Sequence, residues 1–475
     1  MKTFYWYDYE TFGLSPRVQR IAQFAGIRTD ENLNVLDEHM FYCKPTHDCL
    51  PAPEACAVTG ITPQLCEQKG LIEHEFIKKI NKEFTVPQTC IVGYNSIAFD
   101  DEFTRHTLFR NFLDPYAWHW QNGNTRWDIL NVARFCYAHK EHESLEWVKN
   151  ENNRPIFKLD RLAPANSIDH TNAHDAMADV RATIGIAKII QETQPVFFNY
   201  ALSLNEKKEV SRQVKLLHPM LLTSSSFGYK CSFTRMVTAL CYHPDYPDRA
   251  IVFNLEQDPE IILELDSNEL KTLVFTKKSD LPKGVDKLEL NELIFNKSPM
   301  FVCSPKPDNF KLSPLLIEKL QVDMDKCMKN LSYIQNNQKQ IEEIVQSIYK
   351  KDSEREMSND IDQSLYDNFV SNKDRKICNH IQSLSSNEIG LLNPDFEDRR
   401  LLKLFFNFKA RNYPELLSED EQEEWFEIVQ SRVQNGENGF LSFDSFENSL
   451  DKLKTSKPEK NKLWQDLEVY AQTFL

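Results

Sequence analysis

Four carboxylates and one histidine stand in an order that suits metal-assisted hydrolysis. Asp8-Tyr9-Glu10-Thr11-Phe12-Gly13 follows the apolar run Phe4-Tyr5-Trp6-Tyr7. Gly93-Tyr94-Asn95 leads through Phe99 into Asp100-Asp101-Glu102, and Asn172-Ala173-His174-Asp175-Ala176-Met177-Ala178-Asp179 comes later. No one piece decides the matter. Together they can form a site for two divalent metals with a proton acceptor beside it, which is what phosphodiester hydrolysis needs.

Each piece also has a plain structural reading. Residues i and i+2 of a strand share a face, so Asp8 and Glu10 could reach one metal centre, yet a lone Asp-x-Glu is also an ordinary solvated strand end. The strand up to Tyr94 should end at the mouth of a sheet, with Asp100 in the opening turns of the next helix. The helix dipole alone would favour an anion there, and Asp101 and Glu102 are rivals within the same run. His174 and Asp179 are five positions apart, about 140° around a helix, so they cannot share a helical face. His174 therefore belongs in a loop and Asp179 on the helix that follows, an arrangement suited to a general base. Three carboxylate segments and a histidine could thus converge on two ions about 3.5–4 Å apart. Oxygen ligands favour Mg²⁺ or Mn²⁺ over zinc.

The elements that must position these groups read as α/β over residues 1–194. Strands are expected at Phe4–Tyr7, Arg20–Ile27, Phe41–Pro45 and Thr89–Tyr94, with helices clearest at Glu75–Phe84 and Asp175–Gln191. Residues 195–350 change character. Short β-like runs at Met236–Tyr242, Ala250–Leu255 and Pro299–Cys303 predict a small β domain, trailed by helical patterning at Leu315–Leu320 and Met324–Tyr349. After a polar linker at Lys350–Asp360, residues 351–475 read as helical at Gln363–Phe369, Arg399–Phe408, Glu419–Gln434 and from Lys460 onward, with Trp425 and Trp464 in the core.

At 475 residues, about three domains are expected. A charged fraction of 27% and a hydrophobic fraction of 41% exclude a disordered chain. No apolar run reaches about 18 residues, which excludes a membrane-spanning helix, and the N-terminal pattern is not that of a signal peptide. A cytoplasmic protein is expected. The 11 cysteines lack zinc-ligand spacing and read as free thiols. The net charge of −15 excludes a generally basic nucleic-acid binder, so any nucleic-acid contact must be confined to a cleft.

The motifs resemble those of the DEDDh 3′→5′ exonucleases, and over essentially the full length the chain resembles the bacterial exodeoxyribonuclease I family. Besides the acidic motifs, the resemblance rests on Phe41–Pro45, Thr59-Gly60-Ile61-Thr62-Pro63, Asp114-Pro115-Tyr116-Ala117-Trp118, Leu263-Glu264-Leu265-Asp266-Ser267 and Ala410-Arg411-Asn412. It implies a ribonuclease H-like nuclease domain, an SH3-like β domain and a C-terminal helical domain around a path for single-stranded DNA. It implies that Asp8, Glu10, Asp100 and Asp179 hold two Mg²⁺ ions (Mn²⁺ substituting), with His174 as the base and Asp101 a neighbour. The implied reaction is processive release of 5′-mononucleotides from the 3′ end of single-stranded DNA, by a monomer acting in DNA repair and recombination. The implied protein partner is the C-terminal tail of single-stranded DNA-binding protein, whose pocket the sequence leaves unplaced.

Gripping one strand takes stacking surfaces and phosphate-binding cations. Arg105, Tyr116, Trp120 and Arg134 are the expected contacts in a segment rich in both, with Trp118 and Trp127 assigned to the core. Glu10 and Asn172 are added beside the catalytic motifs. Lys158 stands where the family carries arginine, offering a phosphate a point charge in place of a bidentate fork. Lys207 and Lys208 could extend the track. An RNA exonuclease of the same superfamily and a catalytically inactive scaffold are the competing readings.

Overall fold

The structure, a computed structural model, describes residues 2–140, 144–170, 175–303, 314–351 and 357–474. The chain divides into two compact units. One comprises Met1–Thr125, His170–Arg181 and Arg355–Leu475; the other comprises Arg126–Asp169 and Ala182–Glu354.

In the first unit, β1 (Thr3–Thr11), β2 (Ile21–Thr29), β3 (Val35–Tyr42) and β4 (Thr89–Gly93) lie in the order β3-β2-β1-β4. β1 runs antiparallel to β2 and parallel to β4, and β3 is antiparallel to β2. With strands on both sides, β1 is internal, and its aromatic run from Phe4 to Tyr7 is buried. The third strand ends before the expected Phe41–Pro45 run does. Cys43 makes only an isolated bridge to Leu71, and Pro45 has no N–H to extend a ladder. β3 starts earlier instead, at Val35, where alternate exposure hid an edge strand.

The C-terminal segment of this unit shares its core with the N-terminal one. Phe12, Ala22 and Leu50 pack in one cluster with Val429, Trp464 and Leu467. Trp464 is fully buried and Trp425 half-buried against that cluster. Helices Arg399–Asn412, Glu419–Asn435 and Asn461–Gln472 match the expected helical runs. The expected helix at Gln363–Phe369 is instead a 3₁₀ turn, Ile361–Tyr366. Asp360 caps its start, and the tighter winding turns Asp362 inward, where it meets Arg411 Nη1 at 2.6 Å.

A further strand, β5 (Thr125–Asp128), begins at the boundary between the units. The second unit then carries an antiparallel sheet of β6 (Pro219–Thr223), β7 (Thr234–Tyr242), β8 (Arg249–Asn254), β9 (Leu290–Ile294) and β10 (Met300–Cys303), in the order β10-β6-β7-β8-β9. Met236, Ile251 and Phe253 bury against Leu331, Ile341 and Val345 of two trailing helices. These helices, Met324–Asn336 and Gln338–Tyr349, divide the expected run of helical patterning in two. Asn337 breaks it with its side-chain amide donating to Tyr333 O at 2.9 Å. Among the described residues, no helix is long and apolar enough to cross a membrane.

Candidate active site

Asp8 and Glu10 lie two apart on β1 and leave the same face of the sheet. The register between β1 and β2 shifts between Glu10 and Thr11, a bulge at the strand's C-terminal end. Tyr7 and Tyr9, on the opposite face, anchor the helix Asp100–Arg110. The Tyr7 hydroxyl donates to Asp101 Oδ1 at 2.7 Å, and the Tyr9 and Thr104 hydroxyls share a hydrogen bond at 2.9 Å. These bonds fix the helix's first turn, which opens with Asp100. Both rivals within the run are engaged elsewhere. Asp101 is held by Tyr7, while Glu102 pairs with Arg105 at 2.6 Å and accepts from the Tyr366 hydroxyl at 2.6 Å.

Asp179 arrives on the first turn of the helix Ala176–Thr193. Asp175 caps that helix, its Oδ1 accepting from the N–H groups of Met177 and Ala178 at 3.2 Å each. The Ala176 N–H donates to Gln23 Oε1 at 3.4 Å, and Gln23 is the residue paired with Glu10 across the sheet. The helix start is thereby pinned beside Glu10. One carboxylate oxygen from each of Asp8, Glu10 and Asp179 lies within 4.8 Å of the others.

Burial raises the Asp8 carboxyl far above its ordinary range, and Asp100, Asp179 and Glu10 add to the rise. Burial likewise pushes Glu10 up to about 9, with Asp179 and then Asp100 contributing. Asp100 therefore lies within electrostatic reach of the trio. The strongest neighbours of these two buried carboxylates are further carboxylates, an arrangement that a hard divalent cation would relieve. The all-oxygen donor set fits Mg²⁺ or Mn²⁺. A second trio, Asp37, His39 and Glu83, is also closely spaced. There Arg28 already supplies the positive charge, 3.6 Å from Asp37 and 3.1 Å from Glu83.

The expected DNA contacts are spread over both units. In the first unit, Trp120 is 60% exposed, whereas Trp118 is fully buried and donates to Pro115 O at 3.0 Å. Arg105 is buried, and its guanidinium lies 5.7 Å from the centroid of the half-buried Tyr116 ring. In the second unit, Arg134 lies 5.9 Å from the Phe157 ring centroid and donates to Asn131 Oδ1 at 3.0 Å. Lys158 is exposed at the start of the helix Leu159–Ala165, and Trp127 is fully buried. Lys207 and Lys208 are exposed, Lys207 lying 3.5 Å from Asp248. His174 and Asn172 lie outside the described residues.

Two residues at the site escaped the sequence reading. His170 contacts the Asp179 carboxylate through Nε2. Its only sequence signal is a second histidine four positions before His174. Tyr366 reaches Glu102 from 264 positions away, and no local pattern marks it.

Comparison with known proteins identifies the family. Three family models match in succession: Exonuclease over residues 5–187, Exonuclease I SH3-like domain over 205–351 and Exonuclease I C-terminal domain over 359–474. The chain is 38% identical to exodeoxyribonuclease I of Haemophilus influenzae over 473 residues, covering 99% of this chain and 98% of that one. It superposes on Escherichia coli exonuclease I in complex with a dA16 oligonucleotide with a TM-score of 0.93 at 36% identity, covering 100% of both chains. It also resembles a solved SSB/exonuclease I complex with the inhibitor CFAM, with a TM-score of 0.89 at 35% identity and 100% coverage of both. The nuclease domain is ribonuclease H-like, followed by an SH3-like domain and a C-terminal domain rich in helix. The chain belongs to the exodeoxyribonuclease I family.

Proposed function

We propose that this exonuclease degrades single-stranded DNA processively from the 3′ end, releasing 5′-mononucleotides by two-metal hydrolysis with His174 as general base. The observation that carries the reading is the convergence of Asp8, Glu10 and Asp179, with oxygens within 4.8 Å, from segments distant in sequence. Asp100, on the adjoining helix start, completes the set of four that would hold two Mg²⁺ ions, Mn²⁺ being an alternative. Bound divalent cations would supply Lewis acidity at the scissile phosphate and lower the pKa of water. The chain's own carboxylates hold their place through β1, the Tyr7 and Tyr9 anchors and the Gln23 bond. His174 would take the proton of the attacking water, and Glu10 would also face the terminal nucleotide.

For the strand, Tyr116 and Trp120 offer stacking faces and Arg105, Arg134 and Lys158 offer phosphate contacts, with Asn172 beside the base. Tyr366 and Glu102 hold Arg105 in place, so a phosphate would share that guanidinium with Glu102. A three-part division at 1–194, 195–350 and 351–475 and a monomeric state complete the proposal. So do the tail of single-stranded DNA-binding protein as partner and a cytoplasmic role in DNA repair and recombination. The solved relatives bearing an oligonucleotide and SSB support the choice of partners.

The experiment is a time course on 5′-labelled DNA and RNA strands of one sequence, with Mg²⁺ or EDTA. The proposal expects Mg²⁺-dependent shortening of the DNA from its 3′ end and little action on RNA. Equal turnover of both polymers would defeat the DNA assignment, and turnover in EDTA would defeat the metal assignment.

A further inference from the structure

His170 is not among the groups assigned above, yet it touches the site directly. Its Nε2 contacts Asp179 Oδ1, and its side chain is only 2% exposed. Its Nδ1 is buried without a hydrogen-bond partner among the described residues. These facts select one tautomer. A proton on Nδ1 would leave a buried N–H unsatisfied, at a penalty of about 1–3 kcal/mol, whereas a proton on Nε2 is donated to the carboxylate. With Nε2 committed to Asp179 and Nδ1 enclosed, neither nitrogen is available to a water molecule. His170 is therefore not a rival for the role of base.

The consequence falls on Asp179. A carboxylate on the first turn of a helix can rotate about its Cβ–Cγ bond, and in the ionised state that would receive a cation its neighbours Asp8 and Glu10 repel it. A donor fixed on Oδ1 opposes both tendencies. We propose that His170 is a positioning residue that holds the Asp179 carboxylate facing Asp8 and Glu10, ready to receive a divalent cation. This inference rests on the metal-binding reading of the site. Hydrogen-bond donors of this kind, behind a metal-binding carboxylate, set ligand orientation, and losing one lowers metal affinity by about 10–100-fold.

The test is Mn²⁺ binding to the full chain, read by the free-ion signal in electron paramagnetic resonance, with no DNA present. His170→Phe keeps the buried bulk and removes the donor; His170→Gln keeps an N–H at similar reach. The inference expects His170→Phe to weaken Mn²⁺ binding about 10–100-fold and His170→Gln to recover most of it. It expects both variants to keep the wild-type far-UV spectrum, and excess Mn²⁺ to restore much of the nuclease rate of His170→Phe. Wild-type Mn²⁺ affinity in His170→Phe would overturn the inference. So would a His170→Gln as impaired as His170→Phe, since the ring and not its N–H would then matter. A wild-type chain that bound no Mn²⁺ would overturn the metal reading itself, an outcome distinct from the other two.

Discussion

Two clusters of carboxylates among the described residues of the first unit, one half-buried and one fully buried, are electrostatic opposites. Around Asp8 and Glu10, burial raises the carboxyls and the strongest neighbours, being acidic, raise them further. Around Asp48, Glu73 and Asp362, burial would do the same, but arginines reverse it. Arg20, Arg432 and Arg411 hold Asp48 well below the ordinary carboxylate range, and Arg411, Arg432 and Arg20 do the same for Asp362. Arg110, Arg20 and Arg411 lower Glu73. The contacts are short: Arg20 to Asp48 at 2.7 Å, Arg432 to Asp48 at 2.8 Å and Arg432 to Asp362 at 2.8 Å. Residue type is shared and burial acts in the same direction on both, so the neighbours decide the sign. The second cluster is charge-paired from within the chain and ties the C-terminal segment to the N-terminal one. The strongest neighbours of the first are acidic, the pattern a cation-binding site would show.

The comparison breaks most visibly by removing one partner from the completed network. Asp362→Ala takes from Arg411 its 2.6 Å carboxylate contact, leaving Asp48 at 3.5 Å, and takes from Arg432 one of its three carboxylate partners; it should destabilise the unit by about 3 kcal/mol, read as a lower denaturant midpoint. The same kind of change in the acidic cluster should act on rate and not on stability. Asp8→Asn should lower nuclease turnover by at least about 10²–10³-fold with no loss of thermal stability in EDTA. A destabilised Asp8→Asn would show that the two clusters are alike after all.

The pH dependences should have opposite signs. Glu10 in the folded, metal-free chain titrates near 9, above its ordinary 4.5, so the stability tied to its protonation is full below pH 4.5 and is lost as pH rises towards 9. Glu10→Gln should flatten that decline in a series of melting curves in EDTA. Asp48, Glu73 and Asp362 are depressed in the folded state. Their contribution is full above their ordinary values of 3.8 and 4.5 and is lost as the pH falls below them. Acid unfolding of Asp48→Asn should accordingly be shallower than that of the wild type. The smallest effect expected is at the exposed edge of the unit. Trp120→Ala should weaken single-strand binding by about 1–3 kcal/mol in a fluorescence titration, leaving both clusters untouched.

The same contrast explains what the sequence could reveal. Asp8 and Glu10 are legible because a period of two follows an unmistakable apolar strand. Asp179 is legible because a helical pattern begins just before it. The ion network is not, since its pairs join residues 28 to 384 positions apart with no local period. The 3₁₀ turn that ends in Tyr366 is illegible for the same reason, because Asp362 is drawn inward by arginines on two distant helices. The start of β3 is equally hard to read, because an edge strand exposes Val35, Leu36 and Met40 and so lacks a buried run.

The central claim is that the acidic cluster is a cage for two cations. The most direct test is anomalous diffraction from a crystal of the protein soaked with Mn²⁺. Two peaks about 3.5–4 Å apart among Asp8, Glu10, Asp100 and Asp179 are predicted. The absence of any peak there, with Mn²⁺ bound elsewhere in the same crystal, would contradict it.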